Sequence, residues 1–214
     1  MQIELINAEV ENYAATYTSA EDQLLAEIEQ YTVTNHPHHH MLSGHVQGML
    51  LQTLSSLLKP KHILEIGTFT GYSSLCLAKG LQADGTLHTI ELREADANTA
   101  RGFFSKSLYN NKIVLHEGKA LDIIPTLAYQ WDMIFLDADK VNYINYYELT
   151  LPLLKQNGVL IADNVLFHGK VLQQPVTEKN AKAIQAFNEH VAKDKRVEQV
   201  MLTVRDGVSL IRKL

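Results

Sequence analysis

The chain is short of cysteine, of linker-like stretches, of long apolar runs and of positive charge. A single cysteine, Cys76, excludes an intrachain disulfide. Its setting in Ser73-Ser74-Leu75-Cys76-Leu77-Ala78 suits a buried small hydrophobe better than a nucleophile. No Pro/Gly/Ser-rich segment, internal repeat or low-complexity tract divides the chain, so one domain over residues 1–214 is expected. No apolar run approaches the roughly 18 residues of a membrane span, and the residues after Met1 are polar from Gln2 onward. No signal peptide, no membrane contact and a cytoplasmic location are therefore expected. A net charge of −5 and a pI near 6.0 leave no footprint for a nucleic-acid backbone. What is present is 46% hydrophobic residues, enough for a full core.

Helical stretches over Ile6–Tyr17 and Ala20–Tyr31 come first, with Ser19 as N-cap of the second. A His-rich loop follows, and then an amphipathic helix over Val46–Leu58, with Val46, Met49, Leu50, Leu54, Leu57 and Leu58 as its apolar stripe. An alternation begins at His62–Ile66, a strand. It continues through a helix over Tyr72–Lys79, a strand over Thr86–Ile90, a helix over Glu94–Leu108, a strand over Lys112–His116 and a short helix over Ala120–Leu127. It closes with a strand over Met133–Leu136, a helix over Tyr143–Leu154 and a strand over Val159–Ala162. Such a repeat predicts a parallel sheet covered on both faces. After a helix over Thr177–Lys193, the β-rich runs Val197–Thr203 and Val208–Arg212 flank Asp206-Gly207, a turn signal that predicts an antiparallel hairpin. The fold class is α/β: a Rossmann-like, seven-strand, mostly parallel sheet with a C-terminal antiparallel hairpin and N-terminal helices.

Two of these strands end on oxygen donors. Trp131–Leu136 runs into Asp137-Ala138-Asp139-Lys140, and Gly158–Ala162 into Asp163-Asn164. If the strands are parallel neighbours, Asp137, Asp163 and Asn164 meet outside their carboxyl ends, where open α/β sheets bind ligands. Hard oxygen donors there suit a divalent cation, Mg²⁺ before Ca²⁺ or Mn²⁺. Each Asp alone would read as a turn cap. The pair, with Asn164 and Lys140 beside it, points to a metal site.

Residues 61–73 form a strand, a glycine turn and a helix start. Gly67 allows a sharp turn and close approach of a ligand, and Gly71 allows the helix to pack near the strand. The G-x-x-x-G spacing departs from the G-x-G-x-x-G dinucleotide fingerprint, and Thr68-Phe69 fills the room a pyrophosphate would need. Glu91, ending the next strand, is placed to accept hydrogen bonds from ribose hydroxyls. The pattern suits a nucleoside without a pyrophosphate.

Leu64–Ser73, Phe135–Lys140 and Asp163–Gly169 together resemble the three signature blocks of the cation-dependent, S-adenosylmethionine-dependent O-methyltransferases of the catechol and caffeoyl-CoA type. The resemblance runs from about Met41 to the carboxyl terminus. It implies a class I methyltransferase fold with N-terminal helices and a lid over residues 1–45 and a cofactor-binding and catalytic core over 46–214. It also implies Asp137, Asp163 and Asn164 as cation ligands and Lys140 as general base beside Asp137. Glu91 would bind the ribose, while Gly67, Tyr72, Ser73 and the acidic Glu65 lie at the methionine end. Gly118 and Ala120 would line the adenine, with Lys119 in place of the family's usual small or proline residue, and Met41 and Ser43 belong to the lid. Asp137 serves both cofactor and cation.

The chemistry agrees with these roles. A phenolic hydroxyl, with a pKa near about 10, is weakly ionised at neutral pH. Coordination to a divalent cation favours the oxyanion, and two vicinal hydroxyls can chelate one ion. Lys140 can accept the proton if the cation lowers its pKa. The alternative is a surface Lys paired with Asp139. His36, His38, His39 and His40 lack the accompanying ligands of a structural metal site and suit a gate leading into Met41, and His168 suits a loop residue. A hydroxylated aromatic small molecule is the expected acceptor, and the unassigned N-terminal helices suggest a homodimer. The rival with the same cofactor is methylation of a tRNA hydroxyuridine, through a basic patch of Lys59, Lys61, Lys112 and Lys119. A nicotinamide-dependent oxidoreductase is the rival of another class, disfavoured by the missing glycine.

Overall fold

Apolar runs bounded by glycine turns build a central sheet whose strands alternate in facing, so successive residues enter different cores. In the computed structural model, which describes Leu5 and residues 7–214, the strands are β1 (His62–Ile66), β2 (Thr86–Glu91), β3 (Ile113–Glu117), β4 (Trp131–Leu136), β5 (Leu154–Asp163), β6 (Val197–Leu202) and β7 (Val208–Lys213). Their order is β3-β2-β1-β4-β5-β7-β6. The first five are parallel, and β7 pairs antiparallel with both β5 and β6, which is the expected hairpin. On one face Ile63, Met133, Phe135 and Ile161 pack with Leu25, Leu51, Leu75, Phe103 and Phe104. On the other, Leu64, Ile66, Ile134 and Leu160 pack with Tyr143, Tyr147, Ile184 and Phe187. Each such side chain contributes about 1.5–3 kcal/mol by leaving water.

The helices are α1 (Ala8–Thr16), α2 (Gln23–Asn35), α3 (His45–Leu58), α4 (Tyr72–Ala78), α5 (Glu94–Phe104), α6 (Ala120–Ile123), α7 (Tyr143–Thr150) and α8 (Lys179–Lys193). Ile6, where the first helix was expected to begin, lies outside the described residues. Several boundaries differ from expectation for local reasons. Asp22, not Ser19, caps α2, its carboxylate accepting the Leu25 N–H at 2.9 Å, and the Ser19 carbonyl instead meets His45 Nε2 at 2.7 Å. Helix α2 continues to Asn35 and stops before Pro37, whose ring disfavours helical geometry at His36. Pro125 and Pro152 divert the ends of the sixth and seventh helices into 3₁₀ turns. Helix α5 ends at Phe104, leaving Leu108 98% exposed.

The apolar stripe expected on α3 is not the buried one. Leu57 and Leu58 are exposed, while Gln47, Gly48, Leu51 and Ser55 are buried. Small residues choose this face because they let α3 approach α4. A Cβ on Gly48 would sit 2.5 Å from the Tyr72 ring, and one on Gly80 would sit 2.1 Å from the Ser55 backbone. That close fit carries Gln47 inward, toward the end of β5.

Candidate active site

The residues singled out in the sequence fall along one edge of the sheet. Gly118 follows β3, Glu91 ends β2, Gly67 follows β1, Asp137 follows β4 and Asp163 ends β5. The strand order reverses between β1 and β4, so Gly67 and Asp137 stand at the switch point where such sheets open a crevice. Backbone bonds fix this row: Gly67 N–H donates to Ile90 O at 3.0 Å, Asp137 N–H to Ile66 O at 2.9 Å and Gly118 N–H to Glu91 O at 2.8 Å. Gly67 has φ 104°, and a Cβ there would lie 1.9 Å from the Asp137 carbonyl oxygen. Only glycine fits. Gly71 is likewise forced, because a Cβ would meet the Phe104 ring at 2.6 Å.

Glu91 is 6% exposed and organises the glycine turn. Its carboxylate accepts the Phe69 N–H at 2.8 Å and the Arg93 N–H at 2.9 Å. Phe69 holds a left-handed φ of 51°, so this bond is what keeps a bulky residue in a glycine-like conformation. Glu65 lies on the α4 side of β1, fully buried, with its oxygens engaged by Ser73 (2.6 Å), Ser74 and Thr89 (2.6 Å). Burial pushes its carboxyl up to about 7, against the pull of the three hydroxyls. Glu65 and Ser73 thus brace each other beneath the turn. The Tyr72 ring is buried against Gly48. Its backbone N–H, in the first turn of α4, is the part left for a ligand. Ala120 is buried at the head of α6, next to the Gly118 turn.

The acidic end is a connected network. Lys140 Nζ donates to Asp137 Oδ1 at 2.8 Å and to the Tyr143 hydroxyl at 2.7 Å, and that hydroxyl donates to the Asp163 carbonyl at 2.9 Å. Asp163 is 3% exposed. Its Oδ1 accepts the Asn164 N–H and its Oδ2 the Gln47 amide, both at 2.7 Å. Burial, with the Asp137 charge beside it, raises the Asp163 carboxyl well above the ordinary carboxylate range. Asn164 Nδ2 faces Asp206 Oδ2 at 3.3 Å, which turns its carbonyl oxygen the other way. Two carboxylates and an amide oxygen form a donor set that fits a hard divalent cation. Among the described residues no group of three or more His, Cys, Asp or Glu side chains forms a metal site.

Lys140 is held charged by its neighbours. Burial alone would lower its pKa, but the charges of Asp137 and Asp163, with the hydrogen bond to Asp137, outweigh burial and hold it as an ammonium. The alternative pairing with Asp139 does not form, since Asp139 is taken by Tyr146 and Asn142 at 2.5 Å each.

The segment before α3 is pinned from several sides. His36 Nε2 lies 2.9 Å from Asp96 Oδ1 and edge-on to Phe69, with ring centroids 4.6 Å apart. Arg205 holds the Leu42 carbonyl at 2.7 Å. Between these anchors His38, His39, His40 and Met41 are exposed, and Ser43 is buried. His168 is exposed on its loop. The basic patch divides: Lys61 and Lys112 sit at the amino ends of β1 and β3 with Lys59 nearby, whereas Lys119 follows the carboxyl end of β3. Lys61 is also neutralised by Asp84 at 2.6 Å.

Gln47, Tyr143, Asp206 and the His36–Asp96 pair were not singled out as site residues. Gln47 had a local signal, as a polar residue among the apolar positions of α3, while Asp206 was read only as a turn residue and His36 only as part of a gate.

Residues 15–214 match the model of a family described as O-methyltransferase. The chain is 35% identical to a catechol O-methyltransferase of Niastella koreensis, over 77% of this chain and 78% of that one. It is 33% identical to caffeoyl-CoA O-methyltransferase 1 of Eucalyptus globulus, over 91% and 83% respectively. The crystal structure of an O-methyltransferase from Bacillus cereus in complex with SAH (S-adenosylhomocysteine) superposes with a TM-score of 0.88 at 31% identity, covering 96% of this chain and 97% of that one.

Proposed function

From the premise that this chain belongs to the O-methyltransferase family, as an S-adenosylmethionine-dependent enzyme, we propose that it methylates a hydroxyl of a catechol-like or hydroxylated aromatic small molecule. We also propose that this acceptor is bound on a divalent cation held by Asp137, Asp163 and Asn164. The observation that carries the reading is the Lys140–Asp137 pair, 2.8 Å apart and linked through Tyr143 to Asp163-Asn164, beside the Gly67 turn. Glu91 binds the ribose hydroxyls of the cofactor, and the Gly67–Ser73 turn with Glu65 beneath it receives the methionine end. Gly118 and Ala120 flank the adenine, and Met41 and Ser43 close the lid.

A bound divalent cation supplies positive charge that favours the phenolate form of the acceptor. Lys140 pairs with Asp137 and reaches the Asp163 backbone through the Tyr143 hydroxyl. Neutralising the Asp137 and Asp163 carboxylates removes the field that keeps Lys140 an ammonium, and burial then favours the neutral amine. Nζ can then take the hydroxyl proton while the oxygen attacks the sulfonium methyl carbon in line, the O–CH₃ bond forming as the S–CH₃ bond breaks and S-adenosylhomocysteine leaves as the neutral thioether. Fixing donor and acceptor in the crevice removes the entropy of their encounter.

Neither rival reading has support in the comparisons, and the divided lysine patch weakens the tRNA one. The test is methyl transfer from labelled S-adenosylmethionine to catechols, hydroxycinnamates and undermodified tRNA, with and without chelator. Turnover of a vicinal diol that chelator abolishes is expected. Full turnover in excess chelator overturns the cation, and turnover of tRNA alone overturns the acceptor.

A further inference from the structure

Each candidate cation ligand is held by a residue that is not itself a ligand. Lys140 holds Asp137, Asp206 holds Asn164, and Gln47 holds Asp163. Of these supports only Gln47 comes from the amino-terminal side of the molecule, bridging 116 positions of sequence to reach the end of β5. We propose that Gln47 is a positioning residue for the cation site, orienting the Asp163 carboxylate and tying cation affinity to the docking of α3 and the lid segment before it. The proposal rests on the cation reading above.

The Asn164 N–H fixes Oδ1 through a bond inside the turn itself, which leaves the carboxylate plane free to rotate. The Gln47 amide, 2.7 Å from Oδ2, removes that freedom. It also takes one lone pair of Oδ2, so the remaining lone pairs of the carboxylate present a defined direction to a cation. Gln47 is able to do this because its own position is over-determined. It is 2% exposed, and α3 is locked against α4 where Gly48 abuts Tyr72 and Ser55 abuts Gly80. A buried amide there without a partner would oppose folding, which gives the bond to Asp163 a cost if broken. The residues just before α3, Leu42 and Gly44, are clamped by Arg205 from the β6–β7 turn. Movement of the lid that shifts the start of α3 therefore moves the donor on Asp163.

Groups that orient metal ligands from behind typically change affinity by about 10- to 100-fold when removed. The test uses the full chain stripped with chelator and titrated with Mn²⁺, read by electron paramagnetic resonance of the free ion, alongside calorimetry with S-adenosylhomocysteine. Gln47→Met keeps the length and loses the donor. Its Mn²⁺ dissociation constant should rise about 10-fold or more, while its S-adenosylhomocysteine affinity stays within about twofold of wild type. A merely structural role would weaken both or neither. Should Gln47→Met fail to fold, Gln47→Asn keeps the amide but is too short to reach Oδ2, and the same selective loss is expected. Wild-type Mn²⁺ affinity in a folded variant overturns the role of Gln47. A wild-type protein that binds no Mn²⁺ overturns the cation reading beneath it, and the two failures are distinct.

Discussion

Replacing Lys140 by Met separates its electrostatic role from its chemical one. The ammonium is 12% exposed and lies 2.8 Å from Asp137, which is 23% exposed, with Asp163 on the far side of Tyr143. Met fills nearly the same space, so packing is kept and the Asp137 carboxylate is left without its cation, near the Asp163 charge. Removing one member of a buried pair costs about 3–5 kcal/mol. The partial exposure of Asp137 puts this case near the lower end, at about 3 kcal/mol. For a chain of this length each kcal/mol moves Tm by about 2–4 °C, so a fall of roughly 6–12 °C is expected in chelator. With Mg²⁺ in excess the fall should shrink, because the cation restores the missing charge. Calorimetric melts of both proteins in chelator and in Mg²⁺ make the comparison. An equal fall in both conditions would refute the shared field of Lys140 and the cation. On an unactivated catechol in Mg²⁺, kcat should drop by about 10²–10⁴-fold, the range for a lost general base. The drop should lessen on catechols whose electron-withdrawing groups ionise the hydroxyl unaided. Near-normal kcat would reduce Lys140 to a structural cation.

Glu91→Ala frees the Phe69 and Arg93 N–H groups and leaves ribose hydroxyls unpaired, a loss of about 1–3 kcal/mol. Calorimetry with S-adenosylhomocysteine should show weaker binding, and wild-type affinity would remove Glu91 from the site. Gly67→Ala places a Cβ 1.9 Å from the Asp137 carbonyl oxygen at φ 104°; left-handed geometry alone costs about 1–2 kcal/mol. Its denaturation midpoint and its cofactor affinity should fall together, and an unchanged midpoint would contradict the geometry. Burial, followed by the charges of His116 and His62, holds His88 down to about 4, so the unfolded chain takes up the proton first. That contribution to stability is present above about pH 6.5 and is lost as pH falls toward 4. Melts of His88→Leu across that interval should show a shallower acid slope than wild type, and an identical slope would count against the buried neutral imidazole.

The row of site residues was legible in the sequence because each marks a local requirement. A glycine must follow β1, since the chain turns there at φ 104° against the neighbouring strand end. An acidic or amide residue at the end of a parallel strand faces the crevice whatever the rest of the chain does. The supports were not legible, because they are agreements between distant elements. Gln47 meets Asp163 across 116 positions, Asp206 meets Asn164 across 42 and His36 meets Asp96 across 60. Helix α3 shows why: hydrophobicity alone assigns its buried face to the leucines, yet the glycine and serine face wins by allowing closer contact with α4. The protonation of Lys140 was hidden for the same reason. It depends on Asp163 as well as on Asp137, and only the folded chain sets those charges against burial. The candidate ligands are thus marked at strand ends, while their orientation and basicity are set by packing. Substitutions at Gln47 or Asp206 should accordingly alter affinity for the proposed divalent cation while leaving the turn between Gly67 and Ser73 intact.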